Sequence, residues 1–215
     1  MAGQLFLEDV EIGMEVPSLT KHVTTRQLVK YAGSSRDFSE IHYDQEHTNG
    51  TIWKRIIIHG MLKAGFLAQL ATDWMGQEGL LVSLNCMYRA PDFPNETHTL
   101  RGRVVSKAGE GPVCSVTCDA WMENQEGQET TLGQFEVALP SRDGRGTAYP
   151  PSPEVDVDRN GTVKGERLQS NEEEMAAMLG VWWKPWVTEV GRPWIRAFAD
   201  AIGDPNPLFR DEDVA

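Results

Sequence analysis

Between Gly60 and Gly76, apolar residues occupy positions 61, 62, 64, 66, 67, 68, 70, 71, 74 and 75. At 3.6 residues per turn they cover nearly the whole circumference, so the spacing predicts a helix buried on most sides. Lys63, Asp73 and the short length exclude a membrane span, which needs about 20 apolar residues. A helix buried all round needs something wrapped about it. Four strand-like runs follow, at 80–88, 97–107, 112–122 and 130–139, separated by Pro- and Gly-rich turns at 91–94, 109–112 and 124–127. Strands met in order through short turns predict an antiparallel sheet.

Upstream, 6–14 reads as a strand and turn, and 16–23 as an edge strand that tolerates Pro17. Thr24 and Gln27 fit a capping box, the Thr hydroxyl taking an orphan N–H and Gln27 reaching back. The stripe Leu28, Tyr31, Ala32 continues that helix until Gly33-Ser34-Ser35 ends it. The segment 36–49 is polar and loop-like, pinned to a surface by Phe38, Ile41 and Tyr43. Ile56, Ile57 and Ile58 form a short buried run. Residues 1–140 thus read as one α+β domain, a central helix wrapped by a curled antiparallel sheet.

After Pro140 the pattern breaks. Residues 141–180 read as a Pro/Gly-rich linker with a short helix opened by Ser170 and Glu173. Residues 181–215 begin with an aromatic run, Trp182, Trp183 and Trp186, which is expected to pack on something. An internal repeat follows. Phe198-Ala199 precedes Asp204 as Tyr31-Ala32 precedes Asp37, and Asp211 follows Asp204 as Asp44 follows Asp37. Phe209 stands where His42 stands in the first copy. The second copy stops after one helix, as expected of a truncated or divided double-domain protein.

Composition narrows the function. The 215 residues carry a net charge of -12, which argues against a nucleic-acid partner. No apolar run suits a membrane partner, and the first residues lack the basic-then-apolar order of a signal peptide. Cys86, Cys114 and Cys118 are an odd count without framework spacing, so reduced thiols and a cytoplasmic location are expected. Cys114 and Cys118 share one strand face and read as core; a zinc site would want two more ligands nearby, and no metal or cofactor is expected.

The candidate chemistry lies between Tyr31 and Met61. Asp37 and His42 stand five residues apart, and His59 directly precedes Gly60. Taken alone, such a pair is ordinarily a loop hydrogen bond. Its context changes the reading. The segment Arg36-Asp37-Phe38-Ser39-Glu40-Ile41-His42, then His59-Gly60-Met61 opening a buried helix, then a strand ending Tyr88-Arg89-Ala90-Pro91, resembles the MaoC-like (R)-specific enoyl-CoA hydratase and acyl dehydratase family. The resemblance covers residues 1–140. Its first motif departs from the family pattern at Arg36, Ser39 and Glu40. The ending 195–209 resembles the catalytically silent half of double-hot-dog dehydratases.

This resemblance implies a hot-dog fold and the reversible hydration of a 2-enoyl-CoA to a (3R)-hydroxyacyl-CoA. It assigns Asp37 and His42 jointly to the water, and the Gly60 N–H, at a helix N-terminus, to the thioester enolate. Burial would raise the Asp37 pKa and a charged neighbour would lower it, so either group could be the base. His59 reads as a cap or packing residue; with Met61 and Arg89 it makes up the expected substrate-binding set. Lys54, Arg55, Arg89, Arg101 and Arg103 could meet CoA phosphates or form a solvated face. The expected partners are an acyl-CoA thioester and, by hot-dog pairing, a second subunit in a homodimer or heterodimer. Two other readings stay open: a hot-dog thioesterase, and a non-catalytic acyl-CoA-binding subunit.

Overall fold

The structure is a computed structural model that describes residues 3–109, 114–144 and 192–209. In chain order it has β1 (Glu15–His22), α1 (Thr25–Ser35), α2 (Gln45–Asn49), α3 (Gly60–Met75), β2 (Leu80–Tyr88), β3 (Thr97–Ala108), β4 (Ser115–Glu123), β5 (Glu129–Ala138) and α4 (Arg192–Ile202). The five strands form one antiparallel sheet in the order β1-β3-β4-β5-β2. α3 lies against it. This is the α+β arrangement that the apolar helix and its following strands predict, and the hot-dog fold that the resemblance implies.

The helix sits close because the sheet is shaved beneath it. In register, Val16 faces Gly102, Gly102 faces Ala120, Ala120 faces Gly133, and Gly133 faces Cys86. A Cβ at Gly133 would stand 3.2 Å from the Leu67 methyl and 2.9 Å from the Asn85 carbonyl. Leu62, Phe66, Leu67, Leu70 and Ala71 of α3 are buried against Leu100, Val116, Cys118, Met122, Phe135 and Val137 of the sheet. Each large apolar side chain so buried contributes about 2 kcal/mol.

Several local expectations change. The stretch 6–14 holds a 3₁₀ turn at Leu7–Asp9 and no strand, its backbone being tied elsewhere, from Leu7 N–H to the Pro140 carbonyl. The supposed loop 36–49 contains a 3₁₀ turn, Glu40–His42, and the helix α2. Asp44 caps α2 by accepting the His47 N–H. Thr24 caps α1 as expected, accepting from the Gln27 N–H. Gln27 does not reach back, however: its amide donates to the Ala201 carbonyl of α4, 2.9 Å away.

α4 packs on α1. Lys21 donates to the carbonyls of Ile202 and Gly203, at 3.1 and 3.3 Å, and to the Gln69 side chain of α3. Ile202 reaches the surface of α3 at Gly65, where a Cβ would meet its methyl at 3.1 Å. Residues 145–180 of the linker, with the helix opened by Ser170, and the Trp182–Trp186 run lie outside the described residues. Among the described residues no helix is long and apolar enough to cross a membrane.

Candidate active site

His42 ends the Glu40–His42 turn, and a short clasp fixes its ring. The Ile57 N–H donates to the Ile41 carbonyl at 3.1 Å, and His42 Nδ1 donates to the Ile57 carbonyl at 2.8 Å. With the proton held on Nδ1, Nε2 carries the lone pair. That Nε2 lies 3.9 Å from Asp37 Oδ2. The gap is too wide for a direct hydrogen bond but lets both groups engage one small molecule. His42 is buried, whereas the Asp37 side chain is 45% exposed. The Asp37 N–H donates to Ser35 Oγ, and Asp37 Oδ1 accepts the Ser39 N–H, an Asx turn that holds the carboxylate.

His59 forms the floor. It is wholly buried, and its ring stacks on His42 at 3.8 Å, 20° from parallel. Its Nε2 donates to the Asp37 carbonyl at 3.3 Å. Although His59 stands at the N-cap position of α3, its side chain makes no capping bond. Burial, and then the neighbouring His42, push its pKa down to about 4. Tyr31 closes the far side, edge-on to His59 at 4.9 Å. Burial, then the charge of Asp37, push its phenol up to about 12, so it stays neutral.

A neutral, buried His59 has a consequence for acid stability. Above the usual histidine value of 6.5 it is neutral whether the chain is folded or not. Below that value the unfolded chain takes up a proton that the folded chain refuses. Stability is therefore complete above pH 6.5 and falls through the window down to pH 4, by about 3 kcal/mol. Burial also lowers the pKa of His98, adding to the loss in the same direction. Urea unfolding at pH 7.5 and 4.5 measures it. His59→Phe should remove most of the slope; a slope unchanged in that variant would contradict the assignment.

Asp37, His42 and His59 present donor atoms within 4.8 Å of one another. The two rings are nearly parallel, 20° apart, so their lone pairs lie in two separate, nearly parallel planes. The trio therefore suits a single ion poorly.

Gly60 opens α3, so its N–H belongs to the first turn, which has no helical acceptor. The Tyr88 ring covers it: a Cβ at Gly60 would meet that ring at 3.1 Å. Tyr88 also donates from its hydroxyl to the Met61 sulfur at 3.5 Å, and Met61 is exposed beside it. Arg89 stands apart. Its backbone N–H pairs with the Thr130 carbonyl, its side chain is exposed, and it makes no hydrogen bond or ion pair with the trio. Tyr31 and Tyr88 are site residues that sequence reasoning missed. The helix stripe accounts for Tyr31 and the strand pattern for Tyr88, so neither pattern marks them as walls of a site.

Residues 9–119, more than half of the chain, match the family model described as MaoC like domain. The chain belongs to the MaoC-like domain family. Asp37, His42, His59 and Gly60 all fall inside the matched MaoC-like stretch. Residues 177–215 match a second model, the FAS1-like dehydratase domain region. The chain is 32% identical over 107 residues to an (R)-specific enoyl-CoA hydratase of Rhodospirillum rubrum, covering 47% of this chain and 74% of that protein. It is 25% identical over 95 residues to the 3-oxo-4,17-pregnadiene-20-carboxyl-CoA hydratase beta subunit of Mycobacterium tuberculosis, covering 44% and 74%. The MaoC-like fold superposes on the solved (R)-hydratase of A. caviae with a TM-score of 0.57 at 24% identity, covering 62% of this chain and 99% of the other.

Proposed function

We propose that this MaoC-like domain catalyses the reversible hydration of a 2-enoyl-CoA to the (3R)-hydroxyacyl-CoA. The observation that carries the reading is the 3.9 Å gap between His42 Nε2 and Asp37 Oδ2, with the His42 tautomer fixed from behind by Ile57. The two groups hold the substrate water. Nε2 takes one proton as the oxygen attacks the β-carbon, and the Asp37 carboxylate stabilises the resulting imidazolium. Charge develops on the thioester oxygen, where the Gly60 N–H and the positive end of α3 meet it. The Asp37–His42 pair then returns the proton to the α-carbon. Dehydration runs the same steps backwards. Met61 and Tyr88 border the thioester, His59 supports His42 without touching substrate, and exposed Arg89 serves the CoA end. The identities with named hydratases support the substrate class.

The test is the absorbance of the enoyl-thioester band with crotonyl-CoA and with a longer 2-enoyl-CoA. The band should disappear without release of free thiol. Thiol release would mean a thioesterase, and an unchanged band with both substrates would favour a binding subunit.

We also propose that β2 pairs with a second subunit and that residues 181–215 form a partial second copy of the domain. Among the described residues β2 is an edge strand with none of its residues buried, and Val82, Met87 and Tyr88 are 42%, 55% and 44% exposed. So much apolar surface on an unpaired edge calls for a partner. For self-pairing, light scattering should give twice the chain mass for the wild type and the chain mass for Val82→Lys; a wild-type monomer would sink the homodimer and leave a different subunit as the partner.

A further inference from the structure

α1 ends with its C-cap, Arg36, in the left-handed region, at φ 63° and ψ 20°. A side chain there is strained, and glycine is the residue that ordinarily fills such a position. The strained residue directly precedes Asp37. One side chain of α4 grips it. The Arg36 guanidinium lies over the Trp194 ring, 4.7 Å from its centre, and the Trp194 indole N–H donates to the Ser34 carbonyl. That carbonyl belongs to the last turn of α1, whose acceptors have no helical donor. Trp194 thus binds the residues on both sides of Ser35, and the Ser35 hydroxyl accepts the Asp37 N–H.

A second contact runs parallel to the first. Phe198, one turn along α4, packs on Tyr31 at 5.7 Å, and Tyr31 meets His59 edge-on beneath His42. α4 is itself held at its far end, by Gln27 on Ala201 and Lys21 on Ile202. It is therefore an anchored lever whose Trp194 end meets the turn before Asp37.

We propose that Trp194 is a positioning residue for Asp37, its indole offsetting the backbone strain at Arg36 and fixing the direction in which the catalytic loop leaves α1. The proposal rests on the hydratase reading for its activity readout only. In kinetics, Trp194→Ala should lower kcat for crotonyl-CoA by about tenfold with KM changed by less than about twofold, as expected when a group held for the transition state drifts. Amide hydrogen exchange at 36–39 should quicken by about the same factor. Arg36→Gly removes both the strain and the ring's partner. In that background Trp194→Ala should change either readout by less than about twofold, a non-additive cycle.

Equal effects of Trp194→Ala with and without Arg36→Gly would overturn the proposal, as would unchanged exchange at 36–39 or a loss confined to KM. If the wild type turns over no enoyl thioester, the hydratase reading fails and the exchange cycle still decides the positioning role. Should Trp194→Ala not fold, Trp194→Phe keeps a face for the guanidinium and loses the bond to Ser34. Its exchange should then lie between wild type and unprotected, and wild-type exchange would count against the proposal.

Discussion

Asp37→Asn should cut hydration of crotonyl-CoA by about 10³-fold in kcat with little change in KM. General acid–base groups contribute about 10²- to 10⁴-fold, and this carboxylate has a part in both proton movements of the proposed cycle. Asparagine keeps the shape, and its Oδ1 can still accept the Ser39 N–H. What it loses is the charge that stabilises the His42 imidazolium across 3.9 Å. Because the side chain is 45% exposed, folding should be nearly unaffected, within about 0.5 kcal/mol as for other surface substitutions. His42→Gln should cost as much, and the double variant little more than either alone, since the two act on one water as a unit. The enoyl band, followed with melting curves for each variant, reads this out. A double variant whose losses multiply would show that the two groups act independently.

Asp92→Ala should destabilise the fold by about 3–5 kcal/mol, and Lys63→Ala by as much. Lys63 projects from the first turn of α3 into the interior, where it is 2% exposed; Asp92, in the turn after β2, is 1% exposed. Their charges meet at 2.7 Å, Lys63 also donates to the Ala90 carbonyl at 3.0 Å, and His98 lies 3.5 Å from the other Asp92 oxygen. Removing one partner strands the other in a dry place. Replacing both, as Lys63→Met with Asp92→Leu, should recover more than half of the loss, because the desolvation penalty disappears with the charges. Urea titration at pH 7 gives all three values. Activity should suffer too. The Asp92 carbonyl accepts the Ile58 N–H at 2.8 Å, next to Ile57, which holds His42. A single variant as stable as wild type would show that the pair is solvated and contributes little.

Much of the scaffold was legible. The all-round apolar pattern of 60–76 could only belong to a wrapped helix, and the Pro/Gly turns separated strands that appear within a few residues of their expected ends. What escaped was whatever depends on distant chain. Lys63 read as a charge that rules out a membrane span; its burial needs Asp92, whose approach no local pattern announces. Gln27 fitted a capping box, but an acceptor at Ala201 won the contest for its amide. Arg36 carries no sequence sign of its left-handed backbone, nor Trp194 of its place beside it. α2 is different, for the signal was there: Asp44 ahead of His47 is an ordinary N-cap, masked by the polar composition around it. Of the candidate site, the Asp37–His42 pair and Gly60 were proposed from the motif, and the structure brings Asp37 and His42 within 3.9 Å of each other. The aromatic walls, Tyr31 and Tyr88, were not, because helix and strand patterns already accounted for them.

The strand order also dictates a sequence of assembly. β3, β4 and β5 form a local meander that can zip up as soon as each turn closes. β2, made before them, can only pair once β5 exists, and β1 must wait for β3. α3 emerges from the ribosome earlier still, greasy on every side, with its wrapping not yet translated. At about 5–20 residues per second the nascent chain spends several seconds in that condition. Its most hazardous moment is therefore during its own synthesis, and slowing translation across 80–138 should raise its demand for chaperones more than slowing it anywhere later.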